Sequence, residues 1–189
     1  MTGQTDMYTT MKIKMPKDLA GHKNGQLPDE LLGPVPGGKL HKSAVRSYKH
    51  MLNAAKADGI TLKPTSTVDT YRPYSIQYNA FMQRYSPKPT DDTRGITRTF
   101  EGKTWYLKKG MAPCAAPDPT GVKGSNHGWG LAVDFANCTG KTFNWLIKNA
   151  NRFGWYIGTG DPSKPGFESW HWEYVLGNVW APPTETVTP

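Results

Sequence analysis

The sequence predicts an α+β fold, a small antiparallel sheet flanked by helices. Two observations carry this. Three stretches of helical periodicity alternate irregularly with short β-rich runs. One pair of those runs, TRTFEGKTWYL, turns back on itself around Glu101 and Gly102 as a hairpin. Short strands joined by hairpin turns suit antiparallel pairing, not a doubly wound parallel sheet.

The elements follow in order. Residues 1–38 are polar and rich in glycine and proline, and read as irregular with a short extended piece at Met11 to Met15. Residues 40–58 form a helix, because Leu40, Ala44, Val45, Tyr48, Met51, Leu52 and Ala55 fall on one stripe and Gly59 stops it. ITLKPTSTVDTYR is β-branched and reads as extended, and a second helix covers Ser75 to Tyr85 with Ile76, Ala80 and Phe81 apolar. Residues 86–96 and 110–124 are loops on either side of the hairpin. Gly130 to Ala136 is a strand, and Phe143, Leu146, Ile147, Ala150 and Phe153 mark a third helix ending at Gly154. Trp155 to Ile157 and Glu168 to Leu176 are strands. The expected organisation is a lead-in over 1–24, one domain over 25–180, and a linker or disordered tail over 181–189.

At 189 residues the chain is long enough to bury a core without disulfides. Its two cysteines, Cys114 and Cys138, flank the SNHGWGLAVDF run, so a bridge and a reduced pair both stay open. No CxxC occurs, which excludes a thiolate zinc knuckle. No run approaches the roughly 18 apolar residues of a membrane span. The opening MTGQTDMYTTMKIKM lacks the apolar stretch of a secretory signal. The formal charge of +8 favours polyanions. The basic residues are dispersed, so charge alone does not choose among nucleic acid, anionic wall polymers and membranes.

The chemistry concentrates in two runs. In GLAVDFA, Leu131, Val133 and Phe135 point to one face, while Asp134 stands between two alanines on the other. Gly128 and Gly130 let the preceding chain bend so that His127 can approach Asp134. In ESWHWEY, Trp170, Trp172 and Tyr174 share a face that reads as core packing, and Ser169, His171 and Glu173 share the other. Two histidines and a carboxylate are a common catalytic zinc set with a fourth position for water. Glu168 and Glu173 compete for the role of base. Glu168 lies on the wrong face of an ideal strand unless a bend at Pro165 and Gly166 turns it inward. Arg72, read at the end of a strand and the start of a helix, is a candidate to balance charge on a tetrahedral intermediate.

Taken together these residues resemble a known family. Ser125 to Asp134 fits SxHxxGxAxD, and Glu168 to His171 fits ExWH. The chain resembles the zinc D-alanyl-D-alanine carboxypeptidase and L-alanyl-D-glutamate endopeptidase family, which includes VanY-type enzymes and phage endolysin peptidases. The resemblance covers roughly residues 25–178. It implies one zinc ion held by His127, Asp134 and His171 on the sheet of a fold shared with Hedgehog domains, and it implies Glu168 as catalytic base. Arg72 matches the family's YR motif and would bind substrate or stabilise the oxyanion. Gln77 would help position substrate, and Ser125 would support the site by hydrogen bonding. The segment 86–124 is longer than a minimal member needs, and is expected to wall the substrate cleft.

The expected function is hydrolysis of a peptide bond in the peptidoglycan stem or cross-link. A phage lysin is favoured, because no leader routes the chain to the wall. The expected partners are stem peptides and anionic wall polymers, with no nucleic acid, no membrane span and a monomeric state. The alternatives are a bacterial D-Ala-D-Ala carboxypeptidase and a non-catalytic zinc domain of the same fold.

Overall fold

The computed structural model describes residues 8–121, 124–163 and 166–182. Pro165, residues 1–7 of the lead-in and residues 183–189 of the expected tail lie outside this range. The α+β architecture is present, with its antiparallel pairing divided among three small sheets.

The first sheet lies in a stretch expected to be irregular. β1 (Leu32–Val35) pairs with β2 (Gly38–His41) in a hairpin, with Val35 opposite Gly38. Glycine and proline mask this pair in the sequence, yet both residues serve it. Gly37 adopts φ +86, and Gly38 packs so tightly on Thr70 and Thr67 that a side chain there would collide with both. Met11 to Met15 is not a strand, although the Lys14 amide donates to the Val175 carbonyl at 3.0 Å.

α1 (Lys42–Ala57) starts two residues later than expected, because Leu40 and His41 finish β2. Its ring of His41 caps it by accepting from the Ser43 amide. The stripe of Ala44, Tyr48, Met51 and Ala55 is fully buried. The expected extended run before Arg72 is instead an irregular segment, with an isolated bridge from Pro64 to Phe135 and a 3-10 turn at Thr67–Asp69. Pro64 interrupts the regular hydrogen bonding a strand needs. α2 (Tyr74–Arg84) buries Phe81 but leaves Ile76 39% exposed, so the two apolar residues do not share a face.

β3 (Tyr85–Ser86), β4 (Thr97–Phe100) and β5 (Lys103–Leu107) form the second sheet in the order β3-β5-β4. The hairpin turn is where the sequence puts it. Glu101 and Gly102 adopt φ 50 and φ 71, as a two-residue turn of the primed type requires. Phe81, Tyr85, Phe100, Leu107 and Ala116 make a small core of their own beneath this sheet.

β6 (Ala132–Asp134), β7 (Trp155–Ile157) and β8 (His171–Tyr174) form the third sheet in the order β6-β8-β7. α3 (Gly140–Asn149) and a 3-10 turn to Phe153 precede β7, and Gly154 closes them at φ 77. The main core joins this sheet to α1, α3 and the first hairpin. Leu131, Val133, Phe135, Trp155, Trp172 and Tyr174 are buried in it. Full burial of each such side chain contributes on the order of 2 kcal/mol or more. Trp170 departs from the expected core face. It lies in the turn before β8 and is 43% exposed.

Candidate metal centre and cleft

Sheet register places the first two donors. β6 and β8 run antiparallel with Asp134 directly opposite His171 and Ala132 opposite Glu173. Directly opposed residues project from the same face, so Asp134 and His171 meet, with Asp134 Oδ1 2.8 Å from His171 Nδ1. The small side chain of Ala132 leaves room for Glu173 beside them.

The third donor arrives through a tight turn. Asn126–Trp129 is a 3-10 turn closed by Gly130 at φ 64, and it carries His127 back over β6. His127 Nε2 then lies 3.2 Å from Asp134 Oδ1. The donor atoms of His127, Asp134 and His171 all fall within 4.8 Å of one another.

The surroundings fit a cation. His127 Nδ1 faces the Thr70 carbonyl at 2.9 Å, which fixes its proton there and leaves Nε2 as a lone-pair donor. That Nε2 is buried and makes no hydrogen bond, although the Asp134 carboxylate is close. An orphaned buried nitrogen is costly, and a metal ion at the common centre would satisfy it. His171 presents Nδ1 to the centre and Nε2 to Glu173 Oε1 at 3.0 Å. Glu173 also accepts from Asn126 Nδ2 at 2.7 Å. The two expected competitors are thus separated in space, with Glu173 on the outer nitrogen of His171.

Electrostatics follow the same geometry. Burial alone would raise Asp134, but its contacts with His127 and His171 outweigh it and hold the carboxyl far below the usual range. Burial pushes His171 down, yet hydrogen bonds to Asp134 and Glu173 win and raise it to about 10. His127 is lowered by complete burial, against the pull of Asp134.

Glu168 reaches the site from a turn and not from a strand. Its carbonyl accepts from the His171 amide at 3.1 Å, and its own amide donates to Thr159 Oγ1 at 2.8 Å. Gly166, at φ +86, supplies part of the bend. The carboxylate lines the cleft and makes no hydrogen bond among the described residues. Burial raises its pKa, partly offset by His171.

Arg72 sits between the 3-10 turn and α2, and its amide donates to the His127 carbonyl at 3.0 Å. Its guanidinium donates from Nε to Val68 O, from NH1 to Gln77 Oε1, and from NH2 to Asp69 Oδ1 and Asp134 Oδ2. Those contacts use four of the five N–H donors of an arginine and leave one on NH1. Gln77 is buried, and its Nε2 donates to the Ala115 carbonyl at 2.7 Å, so it ties Arg72 to the cleft wall. Ser125 lines the cleft, and its carbonyl accepts from Asn24 Nδ2 at 2.9 Å.

Asp69, Thr70, Thr159 and Asn24 escape the sequence reading. Asp69 stands three residues before Arg72, a spacing that hints at the pair. Thr70 acts through its carbonyl, which no side-chain pattern reveals. The site opens into a cleft of about 850 Å³. The segment from Ala112 to Ala115 forms one side, as expected of the long insertion, and Cys114 and Cys138 both line it as free thiols.

The sequence profile described as "VanY: D-alanyl-D-alanine carboxypeptidase" matches residues 37–177. Among solved structures, a vancomycin resistance D,D-pentapeptidase VanY mutant from a VanB-type resistance cassette, in complex with Zn(II), is similar with TM-score 0.53. It shares 22% identity, over 80% of this chain and 83% of that one. VanYB in complex with D-Alanine-D-Alanine is similar with TM-score 0.51 and 22% identity, over 77% of each chain. The LdcB LD-carboxypeptidase gives TM-score 0.48 and 20% identity, over 77% of this chain and 63% of that one. No curated protein matches. By the profile match and its donor set, the chain is a metallopeptidase that belongs to the VanY family, described as D-alanyl-D-alanine carboxypeptidases.

Proposed function

We propose that the chain is a zinc-dependent peptidase that hydrolyses a peptide bond in the stem of peptidoglycan. The observation that carries this is the convergence of a His-Asp-His donor set, Glu168 and the spare donor of Arg72 in one cleft. His127, Asp134 and His171 are the ligands, with Glu173 orienting His171 and the Thr70 carbonyl orienting His127. When bound there, zinc supplies an acidified water and a Lewis acid for the scissile carbonyl.

The chain's own residues do the rest. Glu168 accepts the proton of the attacking water at its carboxylate and returns it to the departing amine. Its burial favours the proton-bound form and so brings its basicity closer to neutral pH. The spare NH1 hydrogen of Arg72 donates to the oxyanion, and Asp69, Gln77 and the Val68 carbonyl hold that guanidinium in place.

The family description favours removal of a terminal D-alanine. The finer reading, an endopeptidase of the phage-lysin type, draws its support from the volume of the cleft, about 850 Å³, which is more than a terminal dipeptide fills. Digestion of purified peptidoglycan with and without chelator, read by mass spectrometry, tests both. Zinc-dependent release of free D-alanine marks a carboxypeptidase, and cleavage inside the stem marks the lysin-type endopeptidase. Absence of product on every wall type would overturn the peptidase reading and leave a non-catalytic zinc domain.

A further inference from the structure

Arg72 is heavily committed to acids and amides of the protein. A second arginine in the same cleft makes no such contact among the described residues. Arg84 ends α2, and it lines the cleft with Ile76, Gln77 and Ala80 of the same helix. Positions 76, 80 and 84 repeat every four residues and so form one face. The helix therefore runs as a wall from the metal end of the cleft to Arg84.

Arg84 is half-buried and forms no ion pair among the described residues. It faces Cys114 of the opposing segment across the same cleft. Arg98 stands on the same side, with Nε donating to the Cys114 carbonyl at 3.1 Å and NH1 to the Thr97 carbonyl at 2.8 Å. None of the acids of the inserted segment forms an ion pair with Arg84 among the described residues. Asp92 pairs with Arg94, and Glu101 and Asp118 lie beside a separate small pocket. A half-buried guanidinium without an ion pair among the described residues is costly alone, and matches a carboxylate in bidentate geometry.

Distance sets where that carboxylate would be. Seven helical steps lead from Gln77 to Arg84, a rise of about 10 Å. An extended peptide covers that in about three residues.

We propose that Arg84 is a specificity-determining residue that binds a carboxylate carried by the stem peptide, about three residues along the cleft from the reacting end. This rests on the stem-peptidase reading. Two stem residues supply that chemistry, the α-carboxylate of D-glutamate and the side-chain carboxylate of diaminopimelate.

The test is calorimetric binding of synthetic pentapeptide stems to the zinc-loaded Glu168→Ala protein, which holds substrate without turnover on the reading above. One stem carries both carboxylates, one has the glutamyl carboxylate amidated, and one has the diaminopimelyl carboxylate amidated. One of the two amidations is expected to weaken binding about tenfold, and which one names the source. Adding Arg84→Ala should weaken the acidic stem by the same factor and abolish the difference between acid and amide, and Arg84→Lys should restore part of it. Equal affinity for acidic and amidated stems, or an equal loss on all stems in Arg84→Ala, would overturn the subsite. Parallel hydrolysis with the unsubstituted protein separates the two claims. Carboxylate-dependent binding without cleavage of any stem would overturn the peptidase reading and support Arg84. Cleavage without any carboxylate dependence would overturn Arg84 alone.

Discussion

Glu168 and Glu173 lie five positions apart and differ entirely in surroundings. Glu173 is spent on His171 and Asn126, whereas Glu168 lines the cleft with no hydrogen-bond partner for its carboxylate among the described residues. Glu168→Gln should therefore keep stoichiometric zinc and lose turnover by about 100-fold or more. Metal content by mass spectrometry beside a peptide-release assay measures both, and near-normal turnover would remove Glu168 from the mechanism. Asp69 tests the support of Arg72. Asp69→Asn removes one charged contact at 2.8 Å, and kcat/KM should fall about tenfold with zinc content unchanged. His41 is buried at the N-terminus of α1, and burial lowers its pKa against the pull of Asp18 at 3.3 Å. As pH falls below about 6.5, the unfolded chain takes up this proton before the folded one. Stability should therefore decline from pH 7 towards 5, and His41→Gln should flatten that slope in denaturant titrations.

At the level of elements, the decisive feature is how the 3-10 turn, β6 and β8 meet. Gly130 closes the turn at φ +64, and a Cβ there would come 2.5 Å from the backbone nitrogen of His41. Strain in the left-handed region and a backbone clash act together. Gly130→Ala should lower stability by roughly 2 kcal/mol or more, seen as a reduced melting midpoint. A midpoint unchanged within a degree would mean that the hairpin at His41 yields without cost. The run Ser125 to Asp134 was legible because its chemistry is local: histidine, glycines and acid follow within ten residues. The β1-β2 hairpin was not, since its prolines and glycines look like loop and only Thr70, packed against Gly38, shows why they form strands.

Across the whole molecule, distant segments are pinned together at the site. Asn24 of the expected lead-in donates to the Ser125 carbonyl, and the Gly25 amide donates to the Gly128 carbonyl at 2.8 Å. The Arg72 amide holds the His127 carbonyl from the other side. An ion joining three such elements binds the folded chain alone, so chelation should lower the melting midpoint by on the order of 10 °C, reversibly on adding zinc. An identical midpoint in apo and zinc-loaded protein would argue that the donor set does not hold the metal. No helix among the described residues is long and apolar enough to cross a membrane.

The sequence by itself determined the α+β class, the buried stripe of α1, the hairpin at Glu101 and Gly102, and the grouping of His127, Asp134 and His171, because each is written in short-range spacing or in a linked motif. Tertiary structure alone decided what each donor meets. The register that sets Asp134 opposite His171 is a pairing across 37 residues. The carbonyl of Thr70 that fixes His127, the hydroxyl of Thr159 that holds Glu168, and the place of Arg84 in the cleft wall also depend on long-range packing. Backbone groups and unpaired charges leave no periodic trace in a chain, so their roles emerge only when folding brings their neighbours into place.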